Sequence, residues 1–251
     1  MQHDSSVMPN RLSIKKTIFS AMLVIWSERE NLSKYLAIPI LCMVALTMSW
    51  TYLMDSLSEA VSWLLYFLYV TFCAVFAVIC HRLILTGTKP AGWIPEWSWR
   101  ESKFLAWLLL LLCIVLAAIF LTVSILGIFF ANIFFESLDK SPNLFMQMKA
   151  LFQIPAFYVL ARVCLVLPAT AIDEKTSIKL ALTQSRGNGW RLAVIVGALP
   201  FSTFFLVDLL YRDGATFFEK VILTFLEAAV SVIDVAALSI AYKEITKKND
   251  S

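Results

Sequence analysis

The sequence predicts an all-α protein, a polytopic membrane bundle of six transmembrane helices with an N-terminal amphipathic helix at the cytoplasmic face. Six apolar stretches recur along the 251-residue chain. Each approaches or exceeds the roughly 20 residues that a helix needs to cross a hydrocarbon core of about 30 Å. Hydrophobic residues make up 60% of the chain and charged residues 16%, too few polar groups to cover a soluble surface of this size.

The basic residues predict the topology of this bundle. Sixteen of the 21 Lys and Arg residues lie in the two tails and in the second and fourth connections. The opposite connections hold four basic residues, and Arg162 lies inside a span. Because cytoplasmic loops are enriched in Lys and Arg, we expect a multi-pass protein of the bacterial inner (plasma) membrane with both termini in the cytoplasm.

The first 34 residues precede the first span. Residues 1–10 are expected to form a flexible tail. In residues 11–34, Ile14, Ile18, Met22 and Ile25 recur at helical spacing, which predicts an interfacial amphipathic helix on the cytoplasmic leaflet. Packing beneath the bundle is an equal alternative.

The six-helix membrane domain is expected to cover residues 35–242, followed by a cytoplasmic tail at 243–251. Lipid offers the backbone no hydrogen-bond partner, so each span must be helical. The predicted spans are about 35–54, 61–85, 104–130, 150–172, 191–211 and 219–242. Ser-Ile-Lys at 13–15 and again at 177–179 each lead, within 30 residues, to a proline in a span, which leaves a parallel repeat of helical hairpins open.

Ionisable residues inside spans are the sharpest functional signal, because each costs on the order of 2.5–3.5 kcal/mol at a helix centre. Arg162 lies in the fourth span, and the sixth span carries a stripe at helical spacing that we call the polar stripe. Its members are Thr224, Glu227, Ser231 and Asp234. Arg162 and Asp234 are predicted at matching depth, so a salt bridge could fasten the two helices. The alternative is a proton or ion relay, or a pocket for an anionic headgroup.

The segment Arg186-Gly187-Asn188-Gly189-Trp190-Arg191 lies where the fifth span begins. Its glycines favour a hinge, and its basic and aromatic side chains are placed at headgroup depth. We therefore consider Arg186, Trp190 and Arg191 candidates for a lipid-headgroup contact, with a plain interfacial hinge as the alternative.

Tryptophans crowd the second connection. Trp93, Trp97 and Trp99 precede Arg100 in a segment that is long for a simple turn. Aromatic residues mostly anchor a bundle at the interface, but an exposed apolar loop also favours docking of a membrane-protein partner.

Three blocks of sequence together resemble a broad group of uncharacterised bacterial multi-pass inner-membrane proteins. They are HRLIL at 81–85, Ala161-Arg162 with LPA at 167–169, and TQSRGNGWR at 183–191. The last block is also similar to the membrane region of some glycerophosphodiester phosphodiesterases. The resemblance implies a six-helix bacterial membrane protein and no known activity, since the hydrolase domain of those enzymes is missing from this sequence.

The residues that would favour an enzyme are scarce. The sequence has no Gly-x-Ser-x-Gly, His-Glu-x-x-His or Cys-x-x-Cys motif, and its two histidines lie at a tail and a span end. We expect no catalytic residue, no metal site and no cofactor. The excess of basic residues follows the topology, so anionic lipids, and not nucleic acid, are the expected partners. The expected role is a non-enzymatic scaffold or accessory subunit, and the alternative is a small transporter or channel that uses the polar stripe.

Overall fold

The computed structural model describes residues 11–53, 56–93, 97–129, 154–210 and 216–246. Within these ranges the protein is all-helical and contains no strand. Six helical segments are long and apolar enough to cross a membrane: Arg29–Leu53, Glu59–Thr86, Trp99–Ile125, Ile154–Ala171, Gly189–Val207 and Phe217–Thr246. The predicted fold class is therefore confirmed.

We number the α-helices of the described ranges in chain order. They are α1 (Ile14–Ser27), α2 (Arg29–Leu53), α3 (Glu59–Thr86), α4 (Trp99–Phe129), α5 (154–163), α6 (Val166–Ala171), α7 (Ile178–Gln184), α8 (Gly189–Ala193), α9 (Leu199–Asp208) and α10 (Phe217–Thr246). A π-helical turn, Val194–Ala198, joins α8 to α9.

The predicted helix at 11–34 is divided between two helices. The regular helix α1 ends at Ser27, and α2 already begins at Arg29 and continues into the first span. Thr17 and Ala21 are the buried residues of α1, and the Thr17 hydroxyl donates to Glu244 of α10 at 3.3 Å. The helix therefore packs on the end of α10, while its apolar side chains Phe19 and Trp26 are exposed.

Helix α10 is the hub of the bundle. It contacts α1, α2, α3, α6, α9 and the π-helical turn. Small residues are buried along its second half, where Ala236, Ala237 and Ala241 are fully enclosed. Because such side chains let backbones approach closely, the other helices can pack around α10 as the central helix.

Two prolines explain the irregular helices. Pro168 cannot donate to the carbonyl of Cys164, and the chain makes a turn at Cys164–Leu165 in which the Leu167 N–H reaches Cys164 O at 3.0 Å. Pro200 follows the π-helical turn, in which the Leu199 N–H bonds five residues back to Val194. The fourth and fifth spans are thus interrupted helices, whereas Pro39 lies inside the unbroken α2.

The fourth span is buried far more than its neighbours. Over an apolar window of 18 residues in each span, 61% of the residues are buried in the fourth span, against 17–39% in the other five. Its second half packs with α1, α7, α8 and the end of α10 in one core cluster. We call this end of the bundle, which carries α1, α7 and the last turns of α10, the basic end. Helix α6 is enclosed there by protein.

The two Ser-Ile-Lys units fold differently in detail. Helix α1 has 14 residues and leads into the continuous α2, whereas α7 has 7 residues and leads into the interrupted run from α8 to α9. Both units are a helix that leads into a span, but their helices differ in length and continuity. The parallel repeat therefore stays a prediction.

Candidate functional site

The segment between α7 and α8 is fixed by two residues. Gly187 adopts φ +80°, a left-handed conformation that favours glycine. Asn188 is buried, and its side-chain oxygen accepts the Leu12 N–H at 2.8 Å. The start of the described chain is thereby tied to the entry of the fifth span.

Arg162 is held by the last turn of α7. Its Nε donates to Ser185 Oγ at 2.8 Å, and its Nη2 donates to the Leu182 carbonyl at 2.8 Å. The Ser185 hydroxyl in turn donates to the Arg162 carbonyl at 3.0 Å. The first two bonds fix the guanidinium at the basic end, and the third ties Ser185 to the backbone of Arg162.

Gly189 allows a close approach between this segment and α5. A Cβ built at Gly189 would lie 2.9 Å from Arg162 Cδ and 3.0 Å from the ring of Tyr158. These distances are shorter than normal carbon contacts. A larger residue at position 189 would therefore displace the side chains of Arg162 and Tyr158.

These contacts shape a cleft of about 450 Å³, which we call the arginine cleft. It is lined by Arg11, Tyr158, Arg162, Gly187, Gly189, Trp190 and Arg191. None of the described residues that line it is acidic. The rings of Tyr158 and Trp190 pack at 4.9 Å, and the Trp190 side chain is 64% exposed. The cleft therefore combines three arginine residues with an aromatic wall.

The arginine cleft includes part of the predicted lipid contact. Trp190 and Arg191 line it, whereas Arg186 is exposed and is not among its lining residues. Arg162 joins them, although the sequence placed it deep in a span. Arg11 and Tyr158 were not predicted, because nothing in their local sequence indicates a contact with residues far along the chain.

The expected salt bridge between Arg162 and Asp234 is not formed. The guanidinium of Arg162 is turned toward α7, and Oδ1 of Asp234 is buried without a hydrogen-bond partner. The turn at Cys164–Leu165 is the physical reason, because it breaks the straight helix on which the depth of Arg162 was counted.

The polar stripe lies on α10 and is only partly gathered into one site. The hydroxyls of Thr224 and Ser231 donate to carbonyls of their own helix at 2.9 Å. Thr224, Glu227 and Ser231 line a small cavity of about 30 Å³ against α2 and α3. Asp234 is not among the residues that line this cavity. The stripe therefore divides into a cavity group and a separate acid.

The tryptophans of the second connection are exposed, with 62% of Trp93, 49% of Trp97 and 73% of Trp99 accessible. Residues 94–96 between them lie outside the described ranges. Lys34 Nζ sits 5.4 Å from the centroid of the Trp93 ring. The three rings therefore present apolar surface, as a docking loop requires.

Arg100 is bound within the protein. Its guanidinium contacts Asp173 Oδ2 at 2.6 and 2.9 Å, and Arg82 reaches the same oxygen at 3.8 Å. The hydrogen bond from Arg100 lowers the pKa of Asp173 below its ordinary value, helped by the charges of Arg100 and Arg82. Arg100 thus ties α4 to the segment after α6, and this contact competes with any contact to a partner.

The one histidine in the described ranges, His81, is buried in a helix contact and bonded to another helix. His81 is 1% exposed, and its Nδ1 forms a 2.7 Å hydrogen bond with Ser239 Oγ of α10. Within the described part of the chain, no group of three or more His, Cys, Asp or Glu could hold a metal ion. The five cysteines are free thiols.

Helix length, hydropathy and packing define a multi-pass helical membrane protein. No protein-family model, no curated protein and no solved structure matches this chain. The resemblance to bacterial inner-membrane proteins drawn from the three sequence blocks therefore stays a prediction.

Proposed function

We propose that this protein is a non-enzymatic scaffold or accessory subunit of the bacterial inner membrane that holds an anionic lipid headgroup in the arginine cleft. The observation that carries the proposal is the convergence of Arg11, Arg162 and Arg191 beside Trp190. The described residues contribute no carboxylate to neutralise them there. An anion is the natural partner of such a group.

The chemistry of the cleft fits a phosphate ester. A guanidinium group donates two parallel hydrogen bonds to phosphate oxygens, which makes arginine the preferred residue for this anion. The cleft volume of about 450 Å³ lies within the range of roughly 300–1,000 Å³ that small-molecule sites occupy. Trp190 is exposed beside it, as tryptophans at a membrane interface are.

The proposed location follows the charge distribution. The basic end carries Lys15 and Lys16 of α1, Lys179 of α7 and Lys243 of α10, together with the three arginines that line the cleft. We propose that this end faces the cytoplasm, where anionic lipids attract basic segments by about 1 kcal/mol per residue. The cleft then opens at the level of the inner-leaflet headgroups.

Lipid retention tests the headgroup contact. The full chain is placed in detergent with equal amounts of phosphatidylglycerol and phosphatidylcholine, and bound lipid is counted by native mass spectrometry. We expect selective retention of phosphatidylglycerol, which Arg191→Gln reduces about tenfold, in line with the loss of a charged hydrogen bond. Lys179→Gln is the matched control, because Lys179 is exposed at the same end and is not a lining residue. Equal retention of both lipids by the wild type contradicts the proposal.

The accessory role rests on the exposed side chains of Trp93, Trp97 and Trp99, which we call the tryptophan loop. Gentle affinity purification from native membranes, followed by mass spectrometry of proteins and lipids, should recover a partner in stoichiometric amount. The double change Trp93→Ala and Trp99→Ala should release that partner while the anionic lipid is retained. A wild-type protein that purifies without a stoichiometric companion argues against the accessory role and leaves the lipid contact standing.

Transport is the second candidate function, favoured by the buried Oδ1 of Asp234 without a hydrogen-bond partner and by Glu227 at a cavity wall. A carboxyl group inside a bundle is expensive, and such groups often mark ion pathways. This candidate predicts a proton or ion flux in proteoliposomes that Glu227→Gln abolishes in folded protein. A flux that persists unchanged in Glu227→Gln removes the candidate.

A further inference from the structure

A second cleft opens between α2 and α3, far from the arginine cleft. It has a volume of about 370 Å³ and is lined by Leu46, Thr47, Trp50, Leu65, Tyr66, Tyr69 and Glu227. We call it the aromatic cleft. Glu227 precedes Glu244, whose carboxylate contacts α1 at the basic end, by 17 residues on one helix. At a rise of 1.5 Å per residue, Glu227 and Glu244 are therefore roughly 25 Å apart along α10.

Three aromatic rings form the wall of the aromatic cleft. The Trp50 and Tyr66 rings are 6.5 Å apart and tilted by 58°. Tyr66 also meets Trp63 edge-on at 6.2 Å, which holds its ring in place. Tyr69, one turn further along α3, completes the wall. The faces of Trp and Tyr rings attract a cation through their quadrupoles.

Glu227 supplies the charge. It is the only charged residue among the described residues that line the aromatic cleft. Thr47, Tyr69 and Glu227 also line the cavity of about 30 Å³ beside it, so these three side chains form the partition between the two spaces. A carboxylate at this depth is stabilised by a nearby positive charge.

We propose that the aromatic cleft binds an organic ammonium cation, with Glu227 as its counter-ion and Trp50, Tyr66 and Tyr69 around its apolar body. A hard metal ion fits less well, because Ca²⁺ takes six to eight oxygen ligands and this wall is mainly aromatic and aliphatic. The inference does not depend on the lipid contact of the arginine cleft, which involves other residues and the opposite charge.

A pair of water-soluble probes isolates the charge. Choline and its neutral isostere 3,3-dimethyl-1-butanol are titrated by calorimetry into the full chain in phosphatidylglycerol nanodiscs. We expect saturable choline binding, with the neutral isostere at least about tenfold weaker. Equal affinity for the two probes, or no saturable choline binding into the millimolar range, overturns the proposal without any variant.

Variants then locate the site. Glu227→Gln should weaken choline binding about tenfold or more, and Trp50→Leu should weaken it several-fold. Glu59→Gln is the control, because it removes an exposed carboxylate near the start of α3 that does not line the cleft. If Glu227→Gln does not fold, Trp50→Leu and Tyr66→Leu carry the test. Wild-type affinity in folded Glu227→Gln, or in both aromatic variants, overturns the assignment.

A lipid and a soluble amine offer the same ammonium chemistry, and the nanodisc composition separates them. If phosphatidylethanolamine supplies the natural ligand, its headgroup competes and choline affinity falls as this lipid replaces a neutral glycolipid at constant phosphatidylglycerol content, which keeps the surface charge of the membrane unchanged. If the natural ligand is a soluble amine, choline affinity is the same in both membranes. Either result supports an ammonium site, provided that the neutral isostere remains the weaker ligand.

Discussion

Single residues at the basic end make contacts that tolerate little change. Gly189 lies against Arg162 and Tyr158, where any Cβ would be within 3.0 Å of a neighbour. Asp173 has φ +62°, a left-handed conformation that is uncommon for residues other than glycine. Each position offers a variant whose effect follows from geometry.

Gly189→Ala should disturb the arginine cleft. The added methyl group displaces the Arg162 stem and the Tyr158 ring, so we expect phosphatidylglycerol retention to fall several-fold and the thermal midpoint to drop. Gly87→Ala is the control for an added methyl group, because the Cβ position of Gly87 has open space around it, although Gly87, unlike Gly189, has a positive φ. It should cost about 1 kcal/mol of stability through backbone strain and leave lipid retention unchanged. Equal lipid retention in the two variants contradicts the steric argument.

The Asp173 ion pair should make stability depend on pH in acid. Its pKa is lowered in the folded protein, so its contribution is complete above the ordinary carboxyl value of 3.8 and is lost as pH falls through the lowered folded value. Thermal unfolding between pH 7 and about pH 2 should show this loss in the wild type.

Asp173→Asn is the comparison for that experiment. Asparagine tolerates the left-handed conformation but lacks the charge that Arg100 binds. We expect a lower midpoint at pH 7 and a flatter decline in acid than in the wild type. Parallel wild-type and variant curves would show that the ion pair contributes nothing.

Interrupted helices set the position of the arginine cleft at the level of elements. The turn before α6 and the π-helical turn before α9 both precede a proline. Helix α5, which carries Arg162, ends just before the first turn, and α8, which carries Trp190 and Arg191, leads into the second. We therefore expect the shape of the cleft to depend on the helix breaks.

Pro168→Ala should straighten the fourth span. Alanine restores the N–H that can reach the Cys164 carbonyl, so α5 and α6 can merge and carry Arg162 away from Ser185. We expect unchanged or higher helicity by circular dichroism together with reduced lipid retention. Pro39→Ala is the control within an unbroken helix and should leave retention intact. Unchanged retention in Pro168→Ala would mean that the break does not position the arginine.

The sequence predicts the elements well because their signals are local. A long run of apolar residues is enough to predict a membrane helix at that place in the sequence, and all six spans follow from hydropathy alone. The Arg162–Asp234 pairing failed because counting residues assumes a straight helix, and Pro168 breaks that assumption. Arg11 and Tyr158 could not be found because their meeting depends on how α1 and α5 pack.

At the scale of the whole molecule, sixteen of the 21 Lys and Arg residues lie in the tails and connections that are predicted to share one side of the membrane. The positive-inside pattern predicts that this side, with both termini, stays in the cytoplasm. Single cysteines introduced into a cysteine-free background at Ser56 and at Lys179 test this, since the two positions are exposed on opposite sides of the predicted bundle. A membrane-impermeant maleimide added to intact cells with a permeabilised outer membrane should label position 56. Position 179 should be labelled only after the inner membrane is opened. The reverse pattern contradicts the proposed orientation.

The central place of α10 has a consequence for biosynthesis. Helices α1, α2 and α3 emerge from the ribosome first, yet each packs on α10. The buried His81 of α3 can form its hydrogen bond with Ser239 only after α10 has been synthesised. Roughly 160 residues separate the end of α3 from the end of α10, about 8–30 s of translation at 5–20 residues per second. During that interval the surfaces of α1, α2 and α3 that pack on α10 lack their partner, so these helices complete their native contacts only after the last span has been made.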